Sequence, residues 1–394
     1  MAIALVSLIF IALLTLYFYL TKNYNYWQKR KIPCPDGALP GVGHFWDFIT
    51  MKMSISECCR NIYNNYRNRS MVGVYNFRSP ALLVLEPELV KTVLQTNFAN
   101  FHENGFKINP DLDPLLANNP FFTYGEKWVT VFRTSFLPKK ADRFFRTIIA
   151  DVMEQRRREE KPRNDFLQLM ADLERSEGTK IDINVLTSHA VSFFIDGYET
   201  SSTVLSFIGF QLASHQDVQA KLHEEVISVL NKYDGVITYD ALKDMTYMDQ
   251  VISETQRVIA TVGFLTKICT EETELKGSDG LTCHIERGMQ IMIPVQGLQE
   301  DPRYWEHPEV FDPDRFSPDR KHNIERFAFL PFGEGPRICV GMRMAQLQMK
   351  ACLATLLKKY SLELSPKTRV PLKMISSTFL TAAEGGLWVI IRPI

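Results

Sequence analysis

The sequence predicts a mainly α-helical fold with small β-sheets. Residues 71–85, MVGVYNFRSPALLVL, are rich in valine, tyrosine and leucine around a central Arg-Ser-Pro turn, and this pattern predicts a β-hairpin. Helical patterns dominate after residue 86, and short strands return between Leu265 and Val295 and near the carboxyl end. With 394 residues and 45% hydrophobic content, the chain can bury a substantial core.

An uncharged apolar run stands at the beginning of the chain. Ala2 to Leu20 is long enough, at helical rise, to just span a bilayer. Lys22, Lys29, Arg30 and Lys31 follow it, so the positive-inside tendency predicts that the rest of the chain lies in the cytosol. A cleaved signal peptide is the alternative, which the absence of a basic leader and of a small-x-small cleavage site disfavours.

Three regions are expected from these patterns. They are a transmembrane anchor at 1–21, a basic and Pro/Gly-rich hinge at 22–45, and a single domain at 46–394. In the hinge, IPCPDGALPGVG concentrates proline and glycine, which cannot continue a helix and predict a turn-rich connector. Aromatic residues beside the anchor, Trp27 among them, are typical of a membrane interface.

Composition excludes several classes of protein. Lysine plus arginine equals aspartate plus glutamate at 45 each, so the overall charge predicts no nucleic-acid partner. The seven cysteines show neither the even spacing of a disulfide scaffold nor the paired spacing of a zinc module. A reducing compartment fits this cysteine usage, and function must come from local features.

The segment FGEGPRICVG, residues 332–341, precedes a long helical pattern. Gly333 and Gly335 permit a tight loop with positive backbone φ angles. Cys339 lies where this loop enters the helix, so the amino terminus of the helix favours its thiolate form. A bound metal ion would complete the deprotonation.

Three other positions of the segment suit a metal held in a flat macrocycle. Gly341 removes a side chain where the macrocycle must lie close. Arg337 is placed to meet a carboxylate such as a propionate, and Phe332 can shield the sulfur from water. The alternative is a structural cysteine beside a glycine turn.

Phe-x-x-Gly-x-Arg-x-Cys-x-Gly before a helix resembles the haem-binding loop of the cytochrome P450 family. The resemblance implies haem b, iron protoporphyrin IX, with Cys339 as the iron ligand and with Phe332, Gly335, Arg337 and Gly341 around the cofactor. An axial thiolate pushes electron density onto iron and favours cleavage of the oxygen–oxygen bond, which is monooxygenase chemistry. The resemblance extends from the anchor to the carboxyl terminus.

Glu254 and Arg257, in SETQR, are three residues apart and share one face of a predicted helix. If buried, this pair needs a further partner. Arg315 in FDPDRF is the candidate, because the three resemble the family's Glu-x-x-Arg plus a downstream arginine. The resemblance implies that they fix the loop that presents Cys339. Alone, Glu-x-x-Arg is usually a surface ion pair.

The stretch SFFIDGYETSSTVLSFIGFQLAS, residues 192–214, is apolar on nearly all sides, which predicts a long helix through the centre of the protein. Asp196, Gly197, Glu199 and Thr200 interrupt it and resemble the family's oxygen-binding Ala-Gly-x-Glu-Thr, with aspartate in the first position. The glycine and hydroxyl are expected to open the helix. Reduction of dioxygen consumes protons, so Glu199 and Thr200 are candidate proton donors and Asp196 is an additional carboxylate. The alternative is a polar kink in a core helix.

Three more residues resemble haem contacts. Trp128, in GEKWVTVFR, resembles the family's haem-edge tryptophan. The arginine expected four residues later stands one place further on, at Arg133, which turns its side chain by about 100° around a helix. The family's propionate-binding arginine corresponds to Lys267, which offers a point charge without a bidentate fork.

Between Pro138 and Asn164 the chain has room for one ordinary helix, whereas the resemblance implies several. In the family these helices pack beside the central helix and cover the substrate pocket. We therefore expect a cytochrome P450 fold that lacks several mid-chain helices and exposes apolar surface. A shortened splice form, a decayed gene and an incomplete gene model are all compatible with the gap.

The resemblance implies a haem-thiolate monooxygenase of the microsomal, insect type. It would insert one oxygen atom from dioxygen into a lipophilic small molecule, at the endoplasmic reticulum membrane with its catalytic domain facing the cytosol. No Gly-x-Gly-x-x-Gly follows a strand, so electrons from NADPH would arrive through a separate NADPH-cytochrome P450 reductase. Arg343 and Lys350 are candidate contacts for an acidic reductase surface.

Two alternatives belong to other classes. One is a non-enzymatic, truncated relative that binds haem weakly or not at all. The other is a haem-thiolate isomerase that needs neither oxygen nor reductase, which the Glu199-Thr200 pair disfavours.

Overall fold

The computed structural model describes residues 2–105, 115, 138–159 and 163–394. The chain divides into two compact units. The first unit comprises Met1–His102 and Thr200–Ile394, and the second comprises Glu103–Glu199. The predicted fold class, mainly α-helical with small β-sheets, is confirmed.

Helices account for most of the secondary structure. In chain order, the α-helices are α1 Ala2–Thr21, α2 Tyr26–Lys29, α3 Trp46–Ile49, α4 Ile55–Tyr66, α5 Pro87–Lys91, α6 Lys139–Arg158, α7 Phe166–Glu177, α8 Ile183–Ser214, α9 Gln216–Lys232, α10 Tyr239–Asp244, α11 Thr246–Val258, α12 Val295–Gln299 and α13 Met342–Leu357. A π-helical turn, Thr92–Thr96, continues α5. Short 3-10 turns are Phe98–Asn100, Pro313–Phe316, Lys321–Asn323, Arg326–Ala328 and Gly335–Arg337.

The strands are short. They are β1 Met71–Asn76, β2 Ser79–Val84, β3 Glu103–Asn104, β4 Leu265–Ile268, β5 Thr273–Lys276, β6 Thr282–Ile285, β7 Gln290–Ile293, β8 Tyr360–Leu364 and β9 Val389–Pro393. The hairpin predicted at residues 71–85 is confirmed as the antiparallel pair β1–β2. The strands predicted between Leu265 and Val295 and near the carboxyl end are also present.

Within the first unit, β7 lies between β2 and β4. It pairs in parallel with β2, where Leu82 is opposite Ile291, and antiparallel with β4, where Lys267 is opposite Ile291. β5 and β6 form a separate hairpin, and β8 and β9 form another antiparallel pair. This arrangement places Lys267 on a strand whose neighbours are buried and apolar.

The anchor prediction falls on α1, which is long and apolar enough to cross a membrane by length and composition. Its side chains are exposed rather than packed into the protein. The hydroxyls of Thr15 and Thr21 donate hydrogen bonds of 2.8 Å to the carbonyls of Ile11 and Tyr17. Such bonds within the helix satisfy polar groups that a bilayer would otherwise leave without partners.

The segment after α1 packs onto the first sheet. Trp27 is fully buried, and its indole N–H donates to the carbonyl of Val74 at 2.8 Å. A Cβ at Gly73 would lie 2.2 Å from the Trp27 ring, so glycine is required there for this close approach. The prediction that Trp27 lies at a membrane interface is therefore wrong, because the ring is an apolar core residue with one satisfied donor.

One core cluster of the first unit is formed mainly by helices. Buried side chains of α9, α10, α11, α13 and the carboxyl-terminal half of α8 form one cluster, which includes Ile208, Leu222, Val251 and Leu353. Glu225 of α9 accepts hydrogen bonds from the backbone N–H groups of Tyr247 and Met248 and so satisfies the first turn of α11.

The second unit contains a smaller core. Ile149 and Met153 of α6 pack with Ala171 of α7 and with Leu186 and Ala190 of α8. In the described part of the stretch from Pro138 to Asn164, α6 is the one helix, as the sequence predicts.

The polar stretch of α8 is exposed. Phe193, Phe194 and Tyr198 have 59%, 64% and 73% of their surface exposed, although Phe193 and Phe194 contact the rings of Phe166 and Phe145. The predicted helix is confirmed, but the prediction that it is central is wrong for residues 193–199, which are exposed. Exposed aromatic surface is the consequence expected for a chain that lacks covering helices.

Candidate functional site

The loop before α13 takes a conformation that its glycines determine. Gly333 and Gly335 have φ angles of +71° and +79°, as the pattern predicts. A Cβ on Gly335 would also lie 2.0 Å from the carbonyl oxygen of Leu94, so a side chain is excluded by space as well as by backbone angle. The loop is therefore pressed against the π-helical turn at Thr92–Thr96.

The backbone of Cys339 closes this loop. Its N–H donates to the carbonyl of Phe332 at 2.9 Å, and its carbonyl accepts from Met342 N–H, the first residue of α13, at 3.3 Å. Cys339 thus lies just before the amino terminus of α13, and it is exposed. The side chain of Phe332 packs on the core cluster of the first unit.

The surroundings of the exposed thiol are apolar. Val340 and Met344 have 98% and 61% of their surface exposed, and Ile338 is also exposed. A Cβ on Gly341 would lie 3.9 Å from Cys339 Sγ, so a side chain there would occupy space beside the sulfur. An accessible sulfur with exposed apolar neighbours suits a flat apolar ring that carries a thiophilic metal.

Two cations lie near each other beside this loop. Lys267 on β4 is only 4% exposed, and Arg337 lies two residues before Cys339. Burial, and then the positive charge of Arg337, lower the pKa of Lys267 to about 8. An anionic group bound here would compensate both effects, so the pair fits the carboxylates of a haem.

Glu254, Arg257 and Arg315 are brought together by α11 and the 3-10 turn Pro313–Phe316. Glu254 and Arg257 are fully buried, and Arg257 Nε and Nη2 donate to the two carboxylate oxygens at 2.7 and 2.8 Å. Arg315 Nε lies 3.4 Å from Glu254 Oε1, an ion-pair contact without hydrogen-bond geometry. The further partner that burial of the pair requires is therefore present.

Backbone groups complete the environment of this network. The N–H of Asp312 donates to Glu254 Oε1 at 3.0 Å, and Arg257 Nη1 donates to the carbonyl of Gln299 at 3.0 Å. Arg315 Nη2 donates to the carbonyl of His307 at 2.8 Å. The network thus joins α11 and α12 to the segment after α12.

The residues predicted for proton delivery lie on α8. Asp196 and Glu199 are exposed and Thr200 is half-buried. Asp196 is three and four residues from the other two, a spacing that places side chains on one helical face. The helix is continuous through these residues, so the opening of the helix expected at Gly197 is not present.

The remaining predicted residues are two haem contacts and two candidate contacts for a reductase. Trp128 and Arg133 lie outside the described residues. Arg343 is exposed, but Lys350 is buried and its ammonium donates to Asp249 at 2.8 Å. The prediction that Lys350 contacts an acidic partner surface is therefore wrong, because this lysine is buried and paired with Asp249.

Sequence reasoning missed Gln299. This residue is fully buried, and its side chain bonds to α11 and to Leu330, two residues before Phe332. A glutamine in the short stretch VQGLQ carries no recognisable pattern, and its partners are 31 to 43 residues away.

The chain is similar to known proteins over most of its length. Residues 129–390 match the family model described as Cytochrome P450. Cytochrome P450 6j1 of Blattella germanica is 29% identical over 95% of this chain and 94% of the relative. Probable cytochrome P450 28a5 of Drosophila melanogaster is 27% identical over 99% of both chains, and cytochrome P450 6a2 of the same species is 26% identical over 100% of both.

These alignments also bear on the length of the chain. The alignments with the two Drosophila relatives extend over 505 and 511 positions, whereas this chain has 394 residues. The relatives therefore have residues opposite gaps in this chain, as expected for an internally shortened sequence.

We predict that Glu254→Gln lowers the free energy of unfolding by about 3 kcal/mol, because it leaves Arg257 buried without its counter-charge. Urea unfolding measures this loss. The matched control is Glu363→Gln, which breaks an exposed pair with Arg392 and is expected to cost less than about 1 kcal/mol. Equal losses in the two variants would contradict the assigned strength of the buried pair.

We predict that Lys267 contributes a gain in stability to the haem-free protein between about pH 8 and about pH 10.5, against an opposite contribution from buried cysteines such as Cys269, whose pKa burial raises. In this window the unfolded chain carries the Lys267 proton and the folded chain does not, since the folded pKa lies near 8. The gain is on the order of 1–3 kcal/mol. Urea unfolding at about pH 7.5 and about pH 9.5 measures it.

Lys267→Met should remove this contribution, so the change in its stability between the two pH values should be less favourable than that of the wild type by the same amount. The control, Lys276→Met, alters an exposed lysine on β5 and should leave the gain in place. An equal change in the wild type and in Lys267→Met would show that Lys267 does not make this contribution.

Proposed function

The chain belongs to the cytochrome P450 family of haem-thiolate monooxygenases, and we propose that it inserts one atom of dioxygen into a lipophilic small molecule. Electrons would come from NADPH through a separate NADPH-cytochrome P450 reductase. The observation that carries the proposal is the tight glycine loop that presents exposed Cys339 at the amino end of α13.

The proposed cofactor is haem b, with Cys339 as its iron ligand. Lys267 and Arg337 would neutralise the propionates, since a bound carboxylate offsets the burial and the repulsion from Arg337 that lower the lysine pKa. Gly341 would leave room for the ring beside the sulfur, and Gly335 would shape the loop through its close approach to Leu94. Bound haem supplies the iron at which dioxygen is activated.

The sequence pattern suggests further residues that would contact the cofactor. Phe332 lies at the start of the loop, and Trp128 and Arg133 complete the proposed haem-binding residues. Glu254, Arg257 and Arg315 would act structurally, by fixing the segment that leads to Cys339.

Proton delivery is assigned to α8. The Thr200 hydroxyl would pass a proton onward, and the exposed Glu199 carboxylate would exchange protons with water. Asp196 shares their helical face and would add a second carboxylate to the relay.

The proposed location is the endoplasmic reticulum membrane, with residues 46–394 as a haem-binding domain that faces the cytosol. α1 would anchor the chain through residues 1–21, and residues 22–45 would connect the anchor to the domain. A lipophilic substrate that partitions into the bilayer would then be concentrated beside the enzyme. The exposed Arg343 remains a candidate contact for the reductase.

Reconstitution of the purified chain with reductase and a lipophilic alkoxycoumarin tests the function. We expect dealkylation that requires NADPH, reductase and dioxygen together. A chain that holds no haem would support the truncated, non-enzymatic alternative. Turnover without NADPH and reductase, to a product with the same composition as the substrate, would support an isomerase.

We predict that Thr200→Ala uncouples NADPH oxidation from product formation and raises the peroxide released per NADPH several-fold, because proton delivery is impaired. The control is Thr355→Ala on α13, where the hydroxyl bonds to the backbone carbonyl of Ala351 at 2.7 Å. Unchanged coupling in an active Thr200→Ala preparation would overturn the relay assignment.

We predict that deletion of residues 2–21 moves the protein from carbonate-washed membranes to the soluble fraction, since α1 supplies the apolar length needed to span the bilayer. Immunoblots of the two fractions measure this change, with the full-length chain as the control. Mass spectrometry of the mature amino terminus distinguishes an anchor from a cleaved signal peptide.

A further inference from the structure

We propose that Gln299 is a positioning residue for Cys339, which links the buried Glu254–Arg257 pair to the loop that carries the thiolate. The proposal rests on the cysteine ligation proposed above. It adds a residue whose role no sequence pattern indicates, and it explains how a buried ion pair on α11 acts on a loop more than seventy residues away in the chain.

Gln299 contacts α11 through both its backbone and its side chain. Its carbonyl accepts a 3.0 Å hydrogen bond from Arg257 Nη1. Its side-chain Nε2 donates to the carbonyls of Gln256 and Arg257 at 2.9 and 3.0 Å. These two carbonyls lie at the carboxyl end of α11, where the last carbonyls of a helix lack partners within the helix. Gln299 is therefore held in place by the residue that pairs with Glu254.

The opposite side of the same amide reaches the cysteine loop. Gln299 Oε1 accepts from the N–H of Leu330 at 3.1 Å. The carbonyl of Leu330 in turn accepts from Gly333 N–H at 3.2 Å, and the carbonyl of Phe332 accepts from Cys339 N–H at 2.9 Å. One buried amide thus joins α11 to the start of the loop, and short backbone bonds connect that start to the cysteine.

Burial gives this connection its strength. Gln299 is fully buried and Leu330 is only 3% exposed. When a buried donor or acceptor loses its partner, its full desolvation penalty remains, so water does not replace the amide cheaply. Glutamine suits the position because one planar amide both donates to α11 and accepts from Leu330.

The test compares three variants of the full-length haem protein. Gln299→Met keeps the approximate shape of the side chain and removes its hydrogen bonds to α11 and to Leu330. Gln299→Glu keeps an acceptor oxygen for Leu330 in either protonation state. Gln219→Met is the control, because Gln219 is also buried and bridges a helix carbonyl, of Leu212, to Leu362, through bonds of 3.0 and 2.9 Å.

The measurement is the ratio of thiolate-ligated to thiol-ligated haem in the ferrous carbon monoxide complex, together with the urea midpoint. We expect Gln299→Met to lower the ratio by up to about tenfold, the effect of losing the one hydrogen bond that reaches the loop, from Leu330. Gln299→Glu should lower the ratio less than Gln299→Met, since it keeps the acceptor for Leu330 but loses donors to α11. Gln219→Met should lower the urea midpoint without changing the ratio.

Three results would overturn the positioning role. They are a wild-type ratio in Gln299→Met, a loss in Gln299→Glu as large as in Gln299→Met, and a similar loss in Gln219→Met. A wild-type protein without any thiolate-ligated complex would instead show that the proposed cysteine ligation is wrong.

Discussion

Glu254 and Arg257 are fully buried, and this ion pair constrains the part of the structure that leads to Cys339. Two charges removed from water need several hydrogen bonds in fixed directions to offset their desolvation. Here those bonds come from the Asp312 N–H and the Gln299 carbonyl, and Arg315 adds an ion-pair contact. These contacts fix the positions of the segments that make them, and they thereby restrict the position of the loop after Leu330.

Glycine residues allow the conformation of the loop between Leu330 and Cys339. At Gly335 the backbone φ is positive, and a Cβ would lie 2.0 Å from the carbonyl oxygen of Leu94. Both facts exclude a side chain, so this conformation of the loop before α13 requires glycine. Cys339 then stands exposed among apolar side chains, with Lys267 and Arg337 nearby. The result is a sulfur, exposed apolar side chains and two cations, which are the groups that a propionate-bearing metalloporphyrin requires.

Local constraints explain which features the sequence predicted. The positive φ angles of Gly333 and Gly335, the hairpin at 71–85 and the spacing of Glu254 and Arg257 follow from neighbours in the chain, so they are readable from residue type and spacing. Trp27 was misplaced because an interfacial aromatic and a core aromatic have the same local sequence. Lys350 and Gln299 depend on contacts with Asp249 and Leu330, which are distant in sequence.

Cys339 as the iron ligand is the claim on which the functional account rests. Haem content and the ferrous carbon monoxide difference spectrum, measured on wild-type protein and Cys339→Ser purified in parallel from membranes, test it most directly. The account predicts haem with the absorption of thiolate ligation in the wild type and loss of that absorption in the serine variant. Wild-type protein without haem, or identical spectra from the two proteins, would contradict it.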